Sequence, residues 1–179
     1  MPTKSAKILL TGLPGCGKTS AVMKIISSLE CEKVAGFYTQ EIRENRTRKG
    51  FGWKRLDGAG GILAHVDVKS RFKVGRYGVD IAGFEKDVVP VLDAEQTDTE
   101  LFVIDEIGKM EMLSVPFREA VWEALESGER VLGTIMLHSN PLADEIKRHP
   151  GVTVIPVTRE NHTEVMARLL GWLKKVEKS

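Results

Sequence analysis

The apolar positions of the chain follow two alternating patterns. Nearly continuous apolar runs occupy residues 6–11, 101–106, 130–136 and 152–157. Runs of this kind are typical of parallel strands that are buried on both faces. Apolar residues at helical spacing occupy 18–29, 83–92, 115–127, 141–148 and the segment from 161 onward. Strands that alternate with helices in this way predict an α/β fold with a mostly parallel central sheet.

Residues 34–58 interrupt this alternation with a pattern typical of a β-hairpin. Residues 34–44 alternate partly between apolar and polar positions, and residues 50–58 read as a returning strand. The charged segment 45–49 lies between them, where Asn45 supplies turn chemistry. We therefore expect an antiparallel hairpin over 34–58 as an addition to the parallel sheet.

The rest of the first hundred residues gives weaker signals. Residues 59–70 contain several glycines and one short apolar piece at Ile62 and Leu63, so we interpret them as irregular. Residues 71–80 form a glycine-punctuated, strand-like element. Residues 94–100 are polar and acidic, which predicts a surface connection.

Length and composition favour an ordinary globular protein. With 179 residues, 42% apolar and 28% charged, the chain is predicted to form one domain over 1–179. The net charge of +1 does not call for a nucleic-acid or membrane partner, and no signal segment or membrane-length apolar run is apparent. Cys16 and Cys31 are the only cysteines, and reduced thiols suit them best. We expect a cytoplasmic monomer.

The first apolar run leads into the octet Gly12-Leu13-Pro14-Gly15-Cys16-Gly17-Lys18-Thr19, which matches the phosphate-binding P-loop. The glycines let the backbone form a concave turn whose N–H groups point at phosphate oxygens. Lys18 would reach the β- and γ-phosphates, Thr19 would bind Mg²⁺, and the helix N-terminus would favour the anion. An ordinary strand–turn–helix corner is the alternative, which the pattern disfavours. The octet predicts nucleotide binding with Mg²⁺.

A second site signal is the pair Asp105 and Glu106 at the carboxyl end of a buried strand. In open α/β sheets that end carries the ligand, and a carboxylate buried there needs a cation or hydrogen bonds. We predict that Asp105 helps to hold Mg²⁺ and that Glu106 orients or deprotonates the attacking water. A charged strand end that merely meets solvent would be the interpretation in isolation, but the P-loop favours the metal.

Several cations could add positive charge at the phosphates. Arg43, Arg46, Arg48 and Lys49 surround the hairpin turn, where such a run usually marks a solvated tip. We favour that interpretation for Arg46 and Arg48 and leave Arg43 open as an arginine finger. Lys109 is either a surface lysine or a cation that meets the phosphates.

Two further segments have open interpretations. Thr134, near the end of a buried strand, either senses the γ-phosphate or simply fills a strand position. Residues 158–161 either contact the nucleotide base or cap the last helix through Asn161, and capping is the simpler interpretation.

Four motifs in chain order, at 12–19, 36–41, 74–80 and 105–111, together resemble one family. The chain resembles the small nucleoside triphosphatases known from thermophiles, which have a human relative called cancer-related nucleoside triphosphatase. The resemblance implies Mg²⁺-dependent hydrolysis of the terminal phosphate of ATP, GTP and other nucleoside triphosphates, with little base selectivity. It also implies a RecA-like sheet in which another strand separates the P-loop strand from the Asp105 strand.

The resemblance assigns nucleotide contacts to two segments. They consist of the octet residues Gly12, Leu13, Pro14, Gly15, Cys16, Gly17, Lys18 and Thr19, and of Leu101, Phe102, Val103, Ile104, Asp105, Glu106, Ile107 and Gly108. Within these, Thr19 and Asp105 are the expected Mg²⁺ ligands, and Lys18 and Glu106 are the expected catalytic residues, with Lys109 and Arg43 as further candidates.

Two other functions share some of these features. A P-loop nucleotide or small-metabolite kinase would have a similar size, but no arginine-rich lid is evident and a water-orienting glutamate is present. A nucleotide-switched module that binds RNA through residues 46–49 is the weaker alternative, because the net charge is close to zero. Phosphate release without an acceptor argues against a kinase, and salt-dependent retention on RNA would favour the module.

Overall fold

A computed structural model describes residues 7–29, 33–93, 95 and 98–176, with side chains as far as Lys174. The helices α1–α5 are Lys18–Ser27, Ile81–Asp87, Val115–Glu126, Pro141–Arg148 and His162–Val176. The strands β1–β9 are Lys7–Thr11, Val34–Glu44, Thr47–Arg55, Gly60–His65, Lys73–Val74, Tyr77–Val79, Leu101–Ile107, Arg130–Ile135 and Val152–Pro156. Ala6, Cys31, and residues 94, 96 and 97 of the predicted connection lie outside the described residues.

The strands of the described ranges form one sheet in the order β5-β6-β4-β3-β2-β7-β8-β1-β9. The strands β2, β7, β8, β1 and β9 are parallel, and β3, β4, β6 and β5 continue the sheet in antiparallel fashion. The predicted α/β fold is confirmed. The expected RecA-like feature is also present, because β8 separates the P-loop strand β1 from the Asp105 strand β7.

Helices cover both faces of the parallel strands. Successive strand residues point to opposite faces, so Ile8 and Leu10 pack with α1 and α5, whereas Leu9 packs with α2, α3 and α4 on the other face. The second face is centred on the edge-to-face contacts of Phe37 with Phe84 and Phe117. Burial on both faces explains why these strands are continuous apolar runs in the sequence.

The antiparallel region is larger than the predicted hairpin. The turn consists of Asn45 and Arg46 alone, both with positive φ (47° and 64°), so β3 begins at Thr47 rather than at residue 50. The prediction that residues 59–70 are irregular is wrong, because Gly60–His65 is the strand β4. A Cβ at Gly61 would lie 2.5 Å from the Trp53 ring, so a glycine is needed where the indole crosses the strand.

Two helix boundaries also differ from the predictions. The helix expected over 83–92 begins earlier, at Ile81, because the Asp80 side chain accepts a hydrogen bond from Gly83 N and caps it. It ends at Asp87, and Val89–Leu92 continues as a 3₁₀ turn that contains Pro90, which cannot donate to a helical ladder. Helix α1 ends at Ser27 rather than at residue 29.

The remaining elements agree well with the sequence. Ser114 caps α3 by accepting a hydrogen bond from Phe117 N, and α4 spans the predicted residues. In the described part of the chain, no helix is both long enough and apolar enough to span a membrane.

Candidate active site

The P-loop joins the buried strand β1 to the first turn of α1. Gly17 precedes the helix with φ +101°, a left-handed conformation in which a side chain would be strained. Lys18 Nζ donates hydrogen bonds to the carbonyl oxygens of Gly12 at 2.8 Å and of Leu13 at 3.1 Å. The ammonium group therefore lies within the loop that is predicted to bind phosphate.

Asp105 near the end of β7 is buried, with 1% of its surface exposed. Its Oδ1 accepts a 2.5 Å hydrogen bond from Thr134 Oγ1 on the neighbouring strand β8, whereas Oδ2 has no hydrogen-bond partner among the described residues. Burial raises the pKa of Asp105, and the hydrogen bond from Thr134, the nearby Thr19 hydroxyl and the charge of Lys18 oppose that rise. Thr134 thus orients Asp105, an arrangement that the sequence alone did not specify.

The Asp105 carboxylate and the Thr19 hydroxyl are a suitable pair of donors for Mg²⁺. Both are oxygen donors, which this hard cation prefers. A buried carboxylate oxygen without a partner is costly, and a divalent cation would offset that cost. The Thr19 hydroxyl lies near enough to lower the pKa of Asp105. The groups present therefore fit the metal that the sequence predicts.

The Glu106 side chain lines open space in the site, whereas the Asp105 side chain is buried against Thr134. The peptide bond between Asp105 and Glu106 is cis. Burial raises the pKa of Glu106, the Asp105 charge raises it further, and the Lys18 charge lowers it. A carboxylate with a raised pKa is a better proton acceptor, which suits the predicted role of Glu106 as a base.

Two adjoining cavities share Lys18 and Glu106 in their walls. The loop cavity, of about 280 Å³, is lined by the P-loop and the start of α1, including Gly15, Gly17, Thr19 and Ser20. The apolar cavity, of about 360 Å³, has an inner wall of Phe51, Leu63, Val74, Met110, Met136 and Leu137. The predicted phosphate chemistry belongs to the loop cavity, and Glu106 stands at the boundary between the two.

The hairpin β2–β3 forms the side of both cavities opposite the P-loop. Strand β2 pairs with β7 as far as Tyr38, which lies opposite Asp105, and then continues to Glu44 paired with β3. Thr39 and Glu41 therefore lie just beyond the end of the parallel sheet, and both line the two cavities.

The hairpin arginines share one carboxylate but differ in position. Arg43 Nε donates to Glu41 Oε2 at 2.7 Å, and Arg48 donates to Glu41 Oε1 at 2.9 Å. Among the described residues that line the apolar cavity are Arg48 and the exposed Lys109, but not Arg43. Lys109 is thus both exposed and part of the cavity wall, so its two interpretations stay open, and Arg48, which we expected at a solvated tip, lies nearer to the site than Arg43.

Glu111 is a site residue whose role the sequence does not indicate. It is buried and lines the apolar cavity. A Cβ at Gly108 would lie 2.8 Å from Glu111 Oε2 and 3.1 Å from Glu106 Oε1, so the two carboxyl groups flank this glycine. Burial, reinforced by the Glu106 charge, raises the pKa of Glu111 to about 8. The one feature of the sequence that points to Glu111 is its place between two methionines within the motif 105–111.

Fewer side chains of β7 are accessible to a nucleotide than the resemblance implies. The side chains of Leu101, Phe102, Val103, Ile104 and Ile107 are fully buried in the two hydrophobic clusters. They therefore hold the strand in place, and Glu106 and Gly108 are the members of this segment that line the apolar cavity. Cys16 is likewise buried against the core face of α1, whereas Leu13 and Pro14 line the apolar cavity.

The residues between β9 and α5 bind one another, and the first residue of α5 contacts the P-loop. Asn161 Oδ1 accepts a hydrogen bond from Thr158 N at 2.8 Å, and Asn161 Nδ2 donates to the Pro156 carbonyl at 2.9 Å. His162 Nε2 lies 3.3 Å from the Gly17 carbonyl oxygen. The Asn161 side chain thus binds the segment that precedes the helix, and among the described residues it makes no hydrogen bond to the first turn of α5, so the predicted cap is not seen and the contact with the base stays a prediction.

Known proteins match this arrangement over most of the chain. A model of the NTPase family matches residues 7–170. The nucleoside-triphosphatase THEP1 of Thermotoga petrophila is 40% identical over 168 residues, which cover 94% of this chain and 93% of that protein. The crystal structure of THEP1 from the hyperthermophile Aquifex aeolicus has a TM-score of 0.81 and 34% identity, and the match covers 92% of this chain and 97% of that one. The solution structure of a human cancer-related nucleoside triphosphatase has a TM-score of 0.79 and 35% identity, with 97% and 98% covered.

Proposed function

The chain belongs to the NTPase family, and on that basis we propose that it is a Mg²⁺-dependent nucleoside triphosphatase that removes the terminal phosphate of its substrates. The observation that carries the proposal is the meeting of Lys18 and Glu106 in the wall of the loop cavity. A P-loop lysine explains triphosphate binding, and a carboxylate on the same cavity gives water a base.

Each residue has a separate task in this reaction. Lys18 and the loop N–H groups bind the β- and γ-phosphates, and Thr19 and Asp105 would hold Mg²⁺. When bound, the metal would neutralise charge that develops on the phosphate oxygens. Glu106 orients a water molecule for in-line attack and accepts its proton.

The extra positive charge at the terminal phosphate is assigned to Arg48 or Lys109. Both line the apolar cavity beside Glu106, so either could approach a bound terminal phosphate. Arg43 is less suitable, because it is not among the described residues that line either cavity and because it also donates to the Arg46 carbonyl. A cation at this point stabilises the transition state by electrostatics.

We further propose low selectivity for the base. The groups that support the proposal contact phosphate, metal and water, which are common to all nucleoside triphosphates. ATP, GTP, CTP and UTP are therefore expected to serve as substrates with rates within about tenfold of one another.

Phosphate release from these four nucleotides, with excess Mg²⁺ or with EDTA, tests the proposal. We expect release in Mg²⁺ and its loss in EDTA. Lys18→Ala should abolish release, which would exclude a contaminating phosphatase, whereas Lys24→Ala, at an exposed position of the same helix, should retain it, which would exclude a general effect of substituting a lysine. Absence of phosphate release from every nucleotide in excess Mg²⁺ would show that the proposed activity is wrong.

A further inference from the structure

The apolar cavity is larger than a hydrolytic reaction requires. A water molecule takes up about 30 Å³ in the liquid, whereas this cavity measures about 360 Å³. Its volume lies within the range of roughly 300–1,000 Å³ that is typical of small-molecule sites. The excess volume requires an explanation other than the attacking water.

The position of this cavity relates it to the reacting phosphate. It shares Lys18 and Glu106 with the loop cavity, while Gly17, Thr19 and Ser20 line the loop cavity alone. A terminal phosphate held by Lys18 would therefore lie between the loop amides on one side and Glu106 on the other. The apolar cavity borders the first residues of the P-loop, Gly12 to Pro14, and extends past Glu106, which we propose orients the nucleophile.

The walls of the cavity define what could occupy it. The inner wall carries Phe51, Leu63, Val74, Met110 and Met136, side chains that favour an apolar ligand body. At the boundary with the loop cavity stand Lys18, Glu41 and Glu106, and Glu106 can accept a proton there. Arg48, Lys109, Glu111 and His138 also line the apolar cavity, away from that boundary. A ligand whose apolar body contacts the apolar side chains and whose one hydroxyl group lies at Glu106 fits this arrangement.

We propose that the apolar cavity is an acceptor site for an uncharged alcohol with an apolar body, which takes the terminal phosphoryl group in place of water. This inference rests on the proposed hydrolase function, because it uses the same phosphate site and the same base. It adds a phosphotransferase activity to the hydrolysis.

The chemical step is balanced without any further reagent. The alcohol oxygen forms a bond to the γ-phosphorus, and the bond from that phosphorus to the β–γ bridging oxygen breaks. The nucleoside diphosphate leaves with the electron pair, and the hydroxyl proton passes to Glu106. The products are a nucleoside diphosphate and an alkyl phosphate.

The test compares alcohols of increasing apolar size as acceptors. The protein is incubated with ATP and Mg²⁺ in equal concentrations of methanol, 1-butanol or benzyl alcohol, and ³¹P NMR measures alkyl phosphate and inorganic phosphate. Each buried methylene group strengthens binding roughly fourfold. We therefore expect the share of phosphoryl transferred to benzyl alcohol or 1-butanol to exceed the share transferred to methanol at least about tenfold.

A pair of valine variants connects the transfer to this cavity. Val74 and Val89 are both half-buried against the same hydrophobic core, but Val74 lines the apolar cavity and Val89 a separate cavity near Pro90. Val74→Phe should lower the ratio of benzyl phosphate to inorganic phosphate at least about fivefold, because the larger ring fills the space. Val89→Phe should leave that ratio unchanged, whatever its effect on total turnover.

The possible failures are distinguishable. ADP and inorganic phosphate without any alkyl phosphate would overturn the acceptor site and leave the hydrolase proposal intact. A transferred share that does not depend on alcohol size, or that falls equally in both variants, would also overturn it. If no ADP forms even in alcohol-free buffer with excess Mg²⁺, the hydrolase proposal and the inference built on it both fail.

Discussion

The parallel and the antiparallel strands of the sheet meet along β2 and border the same site, but they contribute different kinds of groups. The parallel strands β1 and β7 carry or lead into Lys18, Asp105 and Glu106, the residues that we propose act on phosphate, metal and water. The antiparallel strands β3, β4 and β5 provide Phe51, Leu63 and Val74, which line the apolar cavity. In the proposed reaction, the parallel region holds the reacting groups and the antiparallel region shapes the space around them.

This division predicts how the two regions respond to substitution. A change among the parallel-strand groups should remove the reaction itself, since positioning and electrostatics at the phosphate provide most of the rate. A change in the antiparallel wall should alter rate or acceptor choice while hydrolysis continues. Matched substitutions in the two regions can therefore confirm the division or contradict it.

The largest expected effect is at Glu106, compared with Glu41 of the hairpin. Both glutamates line both cavities, but only Glu106 follows Asp105 on the parallel strand. Glu106→Gln should lower kcat by a factor of about 10² to 10⁴, the range for loss of a general base, with KM changed only a few-fold. Glu41→Gln should cost less than about tenfold. Steady-state phosphate release with excess Mg²⁺ measures both.

If Glu106→Gln hydrolyses ATP at the parent rate, the assignment of the base is wrong. If Glu41→Gln is the more damaging change, the division between the two regions is wrong. Nucleotide affinity, measured separately by titration, distinguishes loss of chemistry from loss of binding.

The next effect concerns stability and involves Glu111. Because the folded pKa of this carboxyl is raised to about 8, the folded protein keeps a proton that the unfolded chain loses near pH 4.5. Stability should therefore decrease as the pH rises from about 4.5 to about 8. Glu111→Gln should reduce this dependence, leaving the part that comes from the raised pKa values of Asp105 and Glu106, and should make the protein more stable than the parent at pH 9, by on the order of a few kcal/mol.

Urea unfolding of parent and variant at several pH values from 5 to 9 would measure the difference. Glu41→Gln serves as the control, because Glu41 is exposed and its substitution should not change the slope. Equal pH dependence in the parent and in Glu111→Gln would mean that Glu111 does not carry the raised pKa.

The sequence predicted the parallel region well because its signals are local. A strand buried on both faces requires an apolar run wherever it lies in the sheet, and β1, β7 and β8 all show one. The P-loop has fixed spacing, because the loop geometry depends on adjacent residues. The order of these strands came from the family resemblance rather than from the pattern.

The antiparallel region was predicted poorly because its strands depend on distant partners. Strand β4 begins with Gly60 and Gly61, which have no strand preference, and it is held by pairing with β3 and by contact of Gly61 with Trp53. Burial of Glu111 is likewise a property of tertiary packing, because its neighbours along the chain do not by themselves show that it faces a cavity.

The same reason explains why the sequence could not choose between the hairpin arginines. Strand alternation decides which side chains share a face, but the pairing of β2 with β3 shifts register between Ile42 and Arg43. Beyond this shift, counting residues from Glu41 no longer predicts which side an arginine faces. The structure places Arg48, and not Arg43, among the described residues that line the apolar cavity.

The smallest expected effect is at Arg48, and the same substitution at Arg43 is its control. Both arginines bind Glu41, so removing either one leaves the carboxylate with a partner. Arg48→Ala should lower kcat about tenfold, because its guanidinium can exchange Glu41 for a terminal phosphate, and Arg48→Lys should recover part of the loss. Arg43→Ala should change kcat less than about twofold, since Arg43 faces solvent. A larger loss in Arg43→Ala than in Arg48→Ala would make Arg43 the cation at the phosphate and would mean that the hairpin turns its other face to the nucleotide.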